Sequence, residues 1–257
     1  MKITLIGAGR VATHLAKVLQ LQHQIVQIFS RDLQRAKTLA NLVSAQAIDN
    51  VRQLDPQTDL VIIAVSDQAI SSVIESIAPY LPDNLIVHTS GSTSVSFLQN
   101  THHRAGVFYP LQTFSFDREV NWAETPVFVE AVEPQDLTSL TELANSLSHR
   151  VYQYSSTQRQ TLHLAAVFAC NFSNYCYDMA KQIVDAEQVD FSLLHPLILE
   201  TANKATANDP KDMQTGPAMR GDRNILNMHQ WLLGDSNRSD LQNIYTLMSD
   251  AILKRHQ

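Results

Sequence analysis

The sequence is poor in cysteine and has no cluster of basic residues. Its two cysteines, Cys170 and Cys176, fall within one predicted helix. Six residues of helix separate them by about 9 Å along the axis, which is too far for a disulfide bond. We therefore expect both to be core thiols of a protein in the reducing cytoplasm. The net charge is -6, and without a basic cluster it argues against nucleic acid or an anionic membrane surface as a partner.

Long apolar runs, internal repeats and low-complexity linkers are also missing from the sequence. No segment reaches the roughly 18 apolar residues that a membrane span requires. The apolar residues near the N-terminus, Ile3, Leu5 and Ile6, belong to a predicted strand, so we expect no signal peptide. What remains is a chain of 257 residues, 44% hydrophobic and 17% charged, a composition typical of one or two domains with a buried core.

The clearest motif is a strand, a glycine turn and a helix at the start of the chain. Gly7, Gly9 and Ala12 occupy the three small positions of the dinucleotide-binding pattern. Gly7 permits the tight turn, Gly9 allows the backbone to approach a pyrophosphate, and Ala12 allows the helix to pack closely on the strand. The first amides of the helix then face the phosphates. The motif predicts that a dinucleotide contacts Gly7, Ala8, Gly9, Arg10 and Val11.

The end of the second predicted strand, residues 25–29, indicates which dinucleotide binds. An NAD site places an acidic residue there to bind the ribose 2′-hydroxyl, whereas this chain has Ser30 and Arg31. A hydroxyl and a permanently charged guanidinium suit a 2′-phosphate, so NADP is the expected cofactor. A plain surface arginine is the alternative for Arg31. We interpret Asp32, which follows directly, as the cap of the next helix.

Three further predicted strands, over residues 59–65, 85–88 and 106–109, end in polar side chains. Ligands of parallel α/β folds lie beyond the carboxyl ends of the strands. Hydroxyl-rich turns are also ordinary helix caps, which is the alternative for each of these residues. The predicted cofactor-binding residues at these ends are Val65, Ser66, Asp67, Ser90 and Gly91. The predicted residues on the substrate side are Tyr109 and Gln112.

The second half of the sequence is helical throughout. A helix predicted over residues 158–186 is apolar on more than one side, so it must be covered by other helices or by a second subunit. We therefore predict a homodimer joined through the helical half. At α-helical spacing, His163, Cys170 and Asn174 fall close to one line along this helix, and Asn171 stands about 80° away.

These elements predict an α/β protein of two domains. Residues 1–155 form a Rossmann domain with a doubly wound, mostly parallel sheet that binds NADP. Residues 156–257 form an all-helical domain for substrate binding and dimerisation.

Six motifs spread over residues 7–222 resemble one bacterial family. They read GAGxVAxHLA, VSDxAI, VHTSGS, YPLQTF, HLAAVFAxNF and TGPAxRGD. That family combines a Rossmann-like NADP oxidoreductase domain with a C-terminal domain of unknown function, within the 6-phosphogluconate dehydrogenase-like superfamily. The resemblance implies that fold, an NADP cofactor and oxidoreductase activity. It implies no particular substrate.

The long helix departs from one pattern of this superfamily, whose hydroxyacid dehydrogenases carry a catalytic lysine and an asparagine four residues apart there. In this chain the long helix instead carries His163, Asn171 and Asn174, with no lysine between them. Histidine can act as an acid or a base near neutral pH, so we predict that His163 is catalytic, with Tyr109 as the next candidate. The two asparagines are candidates to reach the substrate. A buried, structural histidine is the alternative.

The loop over residues 215–222 contributes the last candidate, Arg220, which lies between two glycines. Arg220 is expected to bind a substrate carboxylate, and the alternative is a salt bridge to Asp222 or Glu200.

Together the candidates predict an NADP(H)-dependent reductase or dehydrogenase acting on a small C=O or C=N compound, with no metal in the site. A non-catalytic NADP(H)-binding sensor or scaffold is the alternative, and hydride exchange with a deazaflavin is a lesser one.

Overall fold

The structure is a computed structural model that describes residues 1–257. Its contacts divide the chain into two compact units, Met1–Asn171 and Phe172–Gln257. The division falls after the first helix of the helical half rather than at residue 155. This helix contacts the first unit through Arg159, which donates to the Ser90 carbonyl, and through His163, which is hydrogen-bonded to Tyr109 of β6.

The first unit contains one sheet of eight strands. They are β1 Lys2–Ile6, β2 Gln24–Phe29, β3 Gln46–Ile48, β4 Leu60–Ile63, β5 Leu85–His88, β6 Ala105–Pro110, β7 Val127–Ala131 and β8 Val151–Gln153. The spatial order is β3-β2-β1-β4-β5-β6-β7-β8. Only the β6–β7 pair is antiparallel. The strand order reverses between β1 and β4, which is where doubly wound sheets bind their ligands.

Helices connect and cover these strands. They are α1 Arg10–Leu19, α2 Leu33–Leu42, α3 Ile70–Ile77, α4 Ser96–Gln99, α5 Pro134–Asn145 and α6 Ser156–Ala166. Every residue of β4, β5 and β6 is buried, which explains why these strands read as continuous apolar runs in the sequence. Helix α1 buries Ala12, Leu15, Ala16 and Leu19 completely against the same core.

The long predicted helix is helical over Ser156–Ala186, but it is not one α-helix. Helix α6 begins two residues before the predicted start because Ser155 and Gln158 form a capping box. A π-helical turn, Val167–Phe172, follows α6 and precedes α7, which is Ser173–Ala186. The prediction that His163, Cys170 and Asn174 share one line assumed α-helical spacing throughout, and the π-helical turn breaks that spacing.

The second unit is entirely helical. After α7 it contains α8 His195–Ala207, α9 Pro217–Arg220, α10 Arg223–Asp235 and α11 Ser239–His256. In α8 every residue is exposed except the half-buried Ile198. Large apolar side chains elsewhere in the unit are also exposed, including Trp231 at 64% and Leu247 at 72%. No helix of either unit is both long and apolar enough to cross a membrane.

The two cysteines are less buried than predicted. Cys170 is exposed and Cys176 is half-buried, so the prediction of core thiols was wrong for the single chain. The helical segment that carries them also exposes Leu164, Phe168 and Tyr175. This segment therefore leaves apolar surface uncovered by its own chain.

Candidate functional site

The glycine turn after β1 has the geometry that the sequence predicts. Gly7 has φ +120, a conformation that side chains rarely allow, and its amide donates to the Phe29 carbonyl at 2.8 Å. A Cβ on Gly7 would also collide with the Ala64 carbonyl oxygen. At Gly9 a Cβ would meet nothing within 4 Å, so the space in front of the N-terminus of α1 is open.

A cavity of about 860 Å³ occupies that space, at the switch point between β1 and β4. Nine of the predicted cofactor-binding residues line it: Gly7, Ala8, Gly9, Arg10, Val11, Ser30, Arg31, Val65 and Ser66. Arg35 lines it too and was not predicted, although its position in the first turn of the helix that follows Arg31 could have indicated it. The cavity thus joins a helix N-terminus, serine hydroxyls and arginines, which fits a nucleotide that carries a ribose phosphate.

Asp32 acts as the helix cap that the sequence suggested. Its carboxylate accepts hydrogen bonds from the Gln34 and Arg35 amides at 3.0 and 3.2 Å. It also lies 3.3 Å from the Arg35 guanidinium. Asp32 thus caps α2 and also lines the cavity.

Three predicted cofactor-binding residues, Asp67, Ser90 and Gly91, are not among the residues that line this cavity. The buried Ser90 hydroxyl accepts from the Ser92 and Thr93 amides at 3.1 and 2.9 Å, so it stabilises the loop after β5. The Ser92 hydroxyl donates to the Asp67 carboxylate. The Ser90 hydroxyl thus has partners within its own turn, and the Asp67 carboxylate connects the loop after β4 with the loop after β5. Their contact with the cofactor stays a prediction.

Tyr109 and His163 form a hydrogen-bonded pair beside Gly91. The Tyr109 hydroxyl lies 3.0 Å from His163 Nδ1, and the rings meet edge to face. A Cβ on Gly91 would lie 2.5 Å from that nitrogen and 2.7 Å from Tyr109 Cζ, so only glycine leaves room for both rings. Tyr109 is buried, and burial raises the pKa of its phenol to about 12. His163 is half-buried.

Gln112 forms no hydrogen bond with this pair. It is exposed in the loop after β6, and its side-chain oxygen accepts from the Thr113 amide at 2.8 Å.

His88, at the end of β5, is a buried histidine that the sequence reasoning did not single out. Its Nδ1 accepts a hydrogen bond from the Ser90 amide at 3.1 Å. Burial, and secondly the charge of Arg159, lower its pKa to about 3, against smaller opposing effects of the Ser94 backbone and Asp67. His88 is therefore neutral in the folded protein at physiological pH, while it has an ordinary pKa near 6.5 when unfolded.

The low pKa of His88 predicts a loss of stability in acid. As the pH falls below about 6.5, His88 binds a proton in the unfolded chain, whereas in the folded chain it stays neutral down to about pH 3. Between pH 7 and pH 5 this should lower the free energy of unfolding by about 2 kcal/mol. Urea unfolding at the two pH values measures the loss, and His88→Asn should show a correspondingly smaller dependence on pH. An equal dependence in both proteins would contradict the prediction.

The remaining predicted residues are exposed. Asn171 lies in the π-helical turn, Asn174 lies on α7, and Arg220 ends α9. Arg220 forms neither of the two salt bridges considered for it. Glu200 pairs with Lys204 at 3.1 Å, and the Asp222 carboxylate accepts from the amide of Ile225 at 3.4 Å to cap α10.

Comparisons with known proteins agree with this description. Residues 2–91 match the family described as "NADP oxidoreductase coenzyme F420-dependent", and residues 125–252 match "Domain of unknown function (DUF2520)". No curated protein matches the chain significantly. A solved structure from Bacteroides fragilis, named a "putative NADP oxidoreductase", is 39% identical, with 98% of each chain covered and a TM-score of 0.91.

Two more distant structures share the fold. A Thermotoga maritima protein is 22% identical, with 99% of this chain and 98% of that chain covered and a TM-score of 0.71. An imine reductase from Myxococcus stipitatus, solved with NADP+, is 17% identical, with 99% and 92% covered and a TM-score of 0.70.

The sheet order, the glycine turn and the arginine-lined cavity define a Rossmann-fold oxidoreductase that uses a dinucleotide. The chain belongs to the NADP oxidoreductase family of the Bacteroides fragilis protein, and NADP is its cofactor. The predicted fold class, family and cofactor are thereby confirmed.

Proposed function

We propose that this oxidoreductase transfers hydride between NADP(H) and a small C=O or C=N compound, and that Tyr109 and His163 act together as its proton donor. The observation that carries the proposal is the 3.0 Å contact between the Tyr109 hydroxyl and His163 Nδ1. Tyr109 lies in β6, near the carboxyl end of that strand, where ligands of this fold class bind. The imine reductase that shares this fold makes C=N compounds the first class to test.

NADPH, when bound, supplies the hydride. Reduction of a C=O or C=N bond also requires a proton at the oxygen or nitrogen, which a positioned acid can deliver. Because burial raises the pKa of Tyr109 to about 12, its phenol keeps its proton at neutral pH. If the phenol donates to Nδ1, the imidazole tautomer has its own proton on Nε2, where a substrate can accept it. If Nδ1 donates to the phenol oxygen, the phenol proton is available instead. In either arrangement, the pair presents one proton.

A sensor or scaffold would need the nucleotide cavity but no proton donor. A screen with purified protein separates these functions by following the absorbance of NADPH with cyclic imines, 2-oxo acids and aldehydes. We expect consumption of NADPH with at least one of these classes. Binding of NADPH without consumption by any of them would contradict the proposal. Consumption only with a deazaflavin would support hydride exchange between cofactors instead.

The serine and arginines at the end of β2 are proposed to hold the 2′-phosphate. Arg31 and Arg35 are exposed and line the cavity beside Ser30. Arg35 forms an ion pair with Asp32, whereas Arg31 has no ion pair. Arg31 is therefore the stronger candidate to bind a phosphate.

Arg31→Ala should weaken NADPH binding at least tenfold and leave NADH binding unchanged, because a charge-assisted hydrogen bond contributes about 1.5–3 kcal/mol. Isothermal titration with both cofactors measures this change. Arg52→Ala is the matched control, since Arg52 is exposed and lies outside the cavity. An equal loss of NADPH affinity in both variants would show that only the overall charge matters.

Three exposed polar residues of the helical half are proposed to contact the substrate: Arg220, Asn171 and Asn174. Arg220 is exposed and has no ion pair, so its guanidinium is free to bind a substrate carboxylate. Asn171 and Asn174 offer amide donors and acceptors for a polar substrate.

A further inference from the structure

Arg159, in the second turn of α6, is a fully buried arginine. Its guanidinium contacts three segments of the first unit. The acceptors are the Ser90 carbonyl at 3.2 Å, the Thr93 carbonyl, the Glu130 carboxylate at 2.5 Å and the Ser156 hydroxyl at 3.2 Å. Burial of a guanidinium is costly unless its donors are paired, and here the planar fork of donors fixes the directions of its partners. Arg159 thus ties the loop after β5 and the end of β7 to α6.

Glu130 extends this connection to the start of α6. One carboxylate oxygen accepts from the Ser156 amide at 3.0 Å, and the other accepts from the Ser156 hydroxyl at 2.8 Å. Amides in the first turn of a helix have no partner within the helix, so Glu130 satisfies one of them. The Ser156 hydroxyl also accepts from the Val95 amide at 3.0 Å. The first two turns of α6 are therefore held at both the β5 and the β7 side.

The same loop supports the Tyr109–His163 pair. Gly91 follows Ser90 directly, and its Cα lies so close to both rings that a methyl group would not fit. His163 follows Arg159 by four residues, so both side chains lie on the same face of α6. A shift of this loop or of α6 would therefore change the distance between the Tyr109 hydroxyl and Nδ1.

We propose that Arg159 is a positioning residue: its bonds to the Ser90 and Thr93 carbonyls and to Glu130 keep Tyr109 and His163 within hydrogen-bonding distance. The consequence for turnover rests on the proposed function, whereas the consequence for geometry does not. The charge of Arg159 also lowers the pKa of Tyr109, against the larger effect of burial.

The experiment compares Arg159→Met with Arg104→Met in the full-length protein with NADP bound. Arg104 forms an ion pair with the buried Asp136 at 2.5 Å, outside the site. Arg104→Met therefore removes an arginine ion pair, as Arg159→Met does, but away from Tyr109 and His163. The readout is the ¹⁵N signals of the His163 ring, assigned with His163→Asn. Tyr109→Phe provides the signals of a His163 without its hydroxyl partner. We expect Arg159→Met to shift the ring signals toward those of Tyr109→Phe, and Arg104→Met to keep the wild-type signals.

With an active substrate, kcat of Arg159→Met should fall at least about tenfold, while KM and NADPH affinity change less than about twofold. Arg159→Lys keeps the charge but not the fork of donors, so it should give intermediate ring signals and turnover. If Arg159→Met does not fold, the lysine variant decides the question, and wild-type signals in it would overturn the proposal. Wild-type signals in folded Arg159→Met, or equal shifts in Arg104→Met, would overturn it too. Full activity of His163→Asn would contradict the proposed function. It would leave the role of Arg159 open to its own test, because the ring signals measure that role without turnover.

Discussion

Replacing His163 by Asn is expected to lower kcat by about a hundredfold or more and to leave NADPH affinity nearly unchanged. General acid catalysis typically contributes about 10²–10⁴-fold, and His163 is half of the only tyrosine–histidine pair in the first unit. Tyr109→Phe should lower kcat to a similar degree, since it removes the hydroxyl and leaves the ring in place. Steady-state kinetics with the substrate found by the NADPH screen measures both effects.

The double variant gives the sharper result. If Tyr109 and His163 work as one unit, Tyr109→Phe combined with His163→Asn should be little slower than the worse single variant. Tyr152→Phe is the matched control, because Tyr152 stacks on Phe128 in the same aromatic cluster and has no contact with His163. Multiplicative effects of the two substitutions would mean that the side chains act independently.

The protein is expected to be a homodimer that associates through its second unit. An isolated helix of 13 residues is marginal in water, yet α8 has that length and buries none of its residues. Leu197 on α8 and Trp231 on α10 are 63% and 64% exposed. Apolar surface of this extent in a folded chain usually marks an association site, and a second copy is the partner that we propose.

Leu197→Asp combined with Trp231→Asp should raise the Kd of the dimer by roughly a thousandfold. A symmetric interface contains every substitution twice, so a loss of about 2 kcal/mol per subunit becomes about 4 kcal/mol. Sedimentation velocity at micromolar concentration is the measurement. Leu21→Asp serves as control, since Leu21 is a leucine of the first unit that is even more exposed, at 76%. A monomeric wild type, or dissociation by the control substitution, would refute this interface.

The features that the sequence predicted well are those in which neighbouring residues determine the backbone. A positive φ at Gly7 and open space at Gly9 follow from the glycines themselves. The cap at Asp32 is equally local, because its carboxylate binds amides two and three residues away. Continuous apolar runs likewise predicted buried parallel strands.

Features that depend on distant residues escaped the sequence reasoning. Arg159 and Glu130 are 29 residues apart, and only the packing of α6 on the sheet brings them together. Tyr109 and His163 are 54 positions apart, so the sequence did not predict their hydrogen bond, although each was predicted to be functional. The π-helical turn has no local signature such as a proline, and exposure of Cys170 reflects apolar surface that the chain does not cover itself.

The position of β6 inside the sheet determines how the Tyr109–His163 pair can open. Strand β6 is hydrogen-bonded to β5 on one side and to β7 on the other. Backbone segments of this kind exchange their amide hydrogens only in large, cooperative openings. His163 instead lies on a helix that is bound to the sheet and its loops by side-chain hydrogen bonds and that turns π-helical four residues later. We therefore expect that, when the pair opens, His163 moves while Tyr109 keeps its place in the sheet.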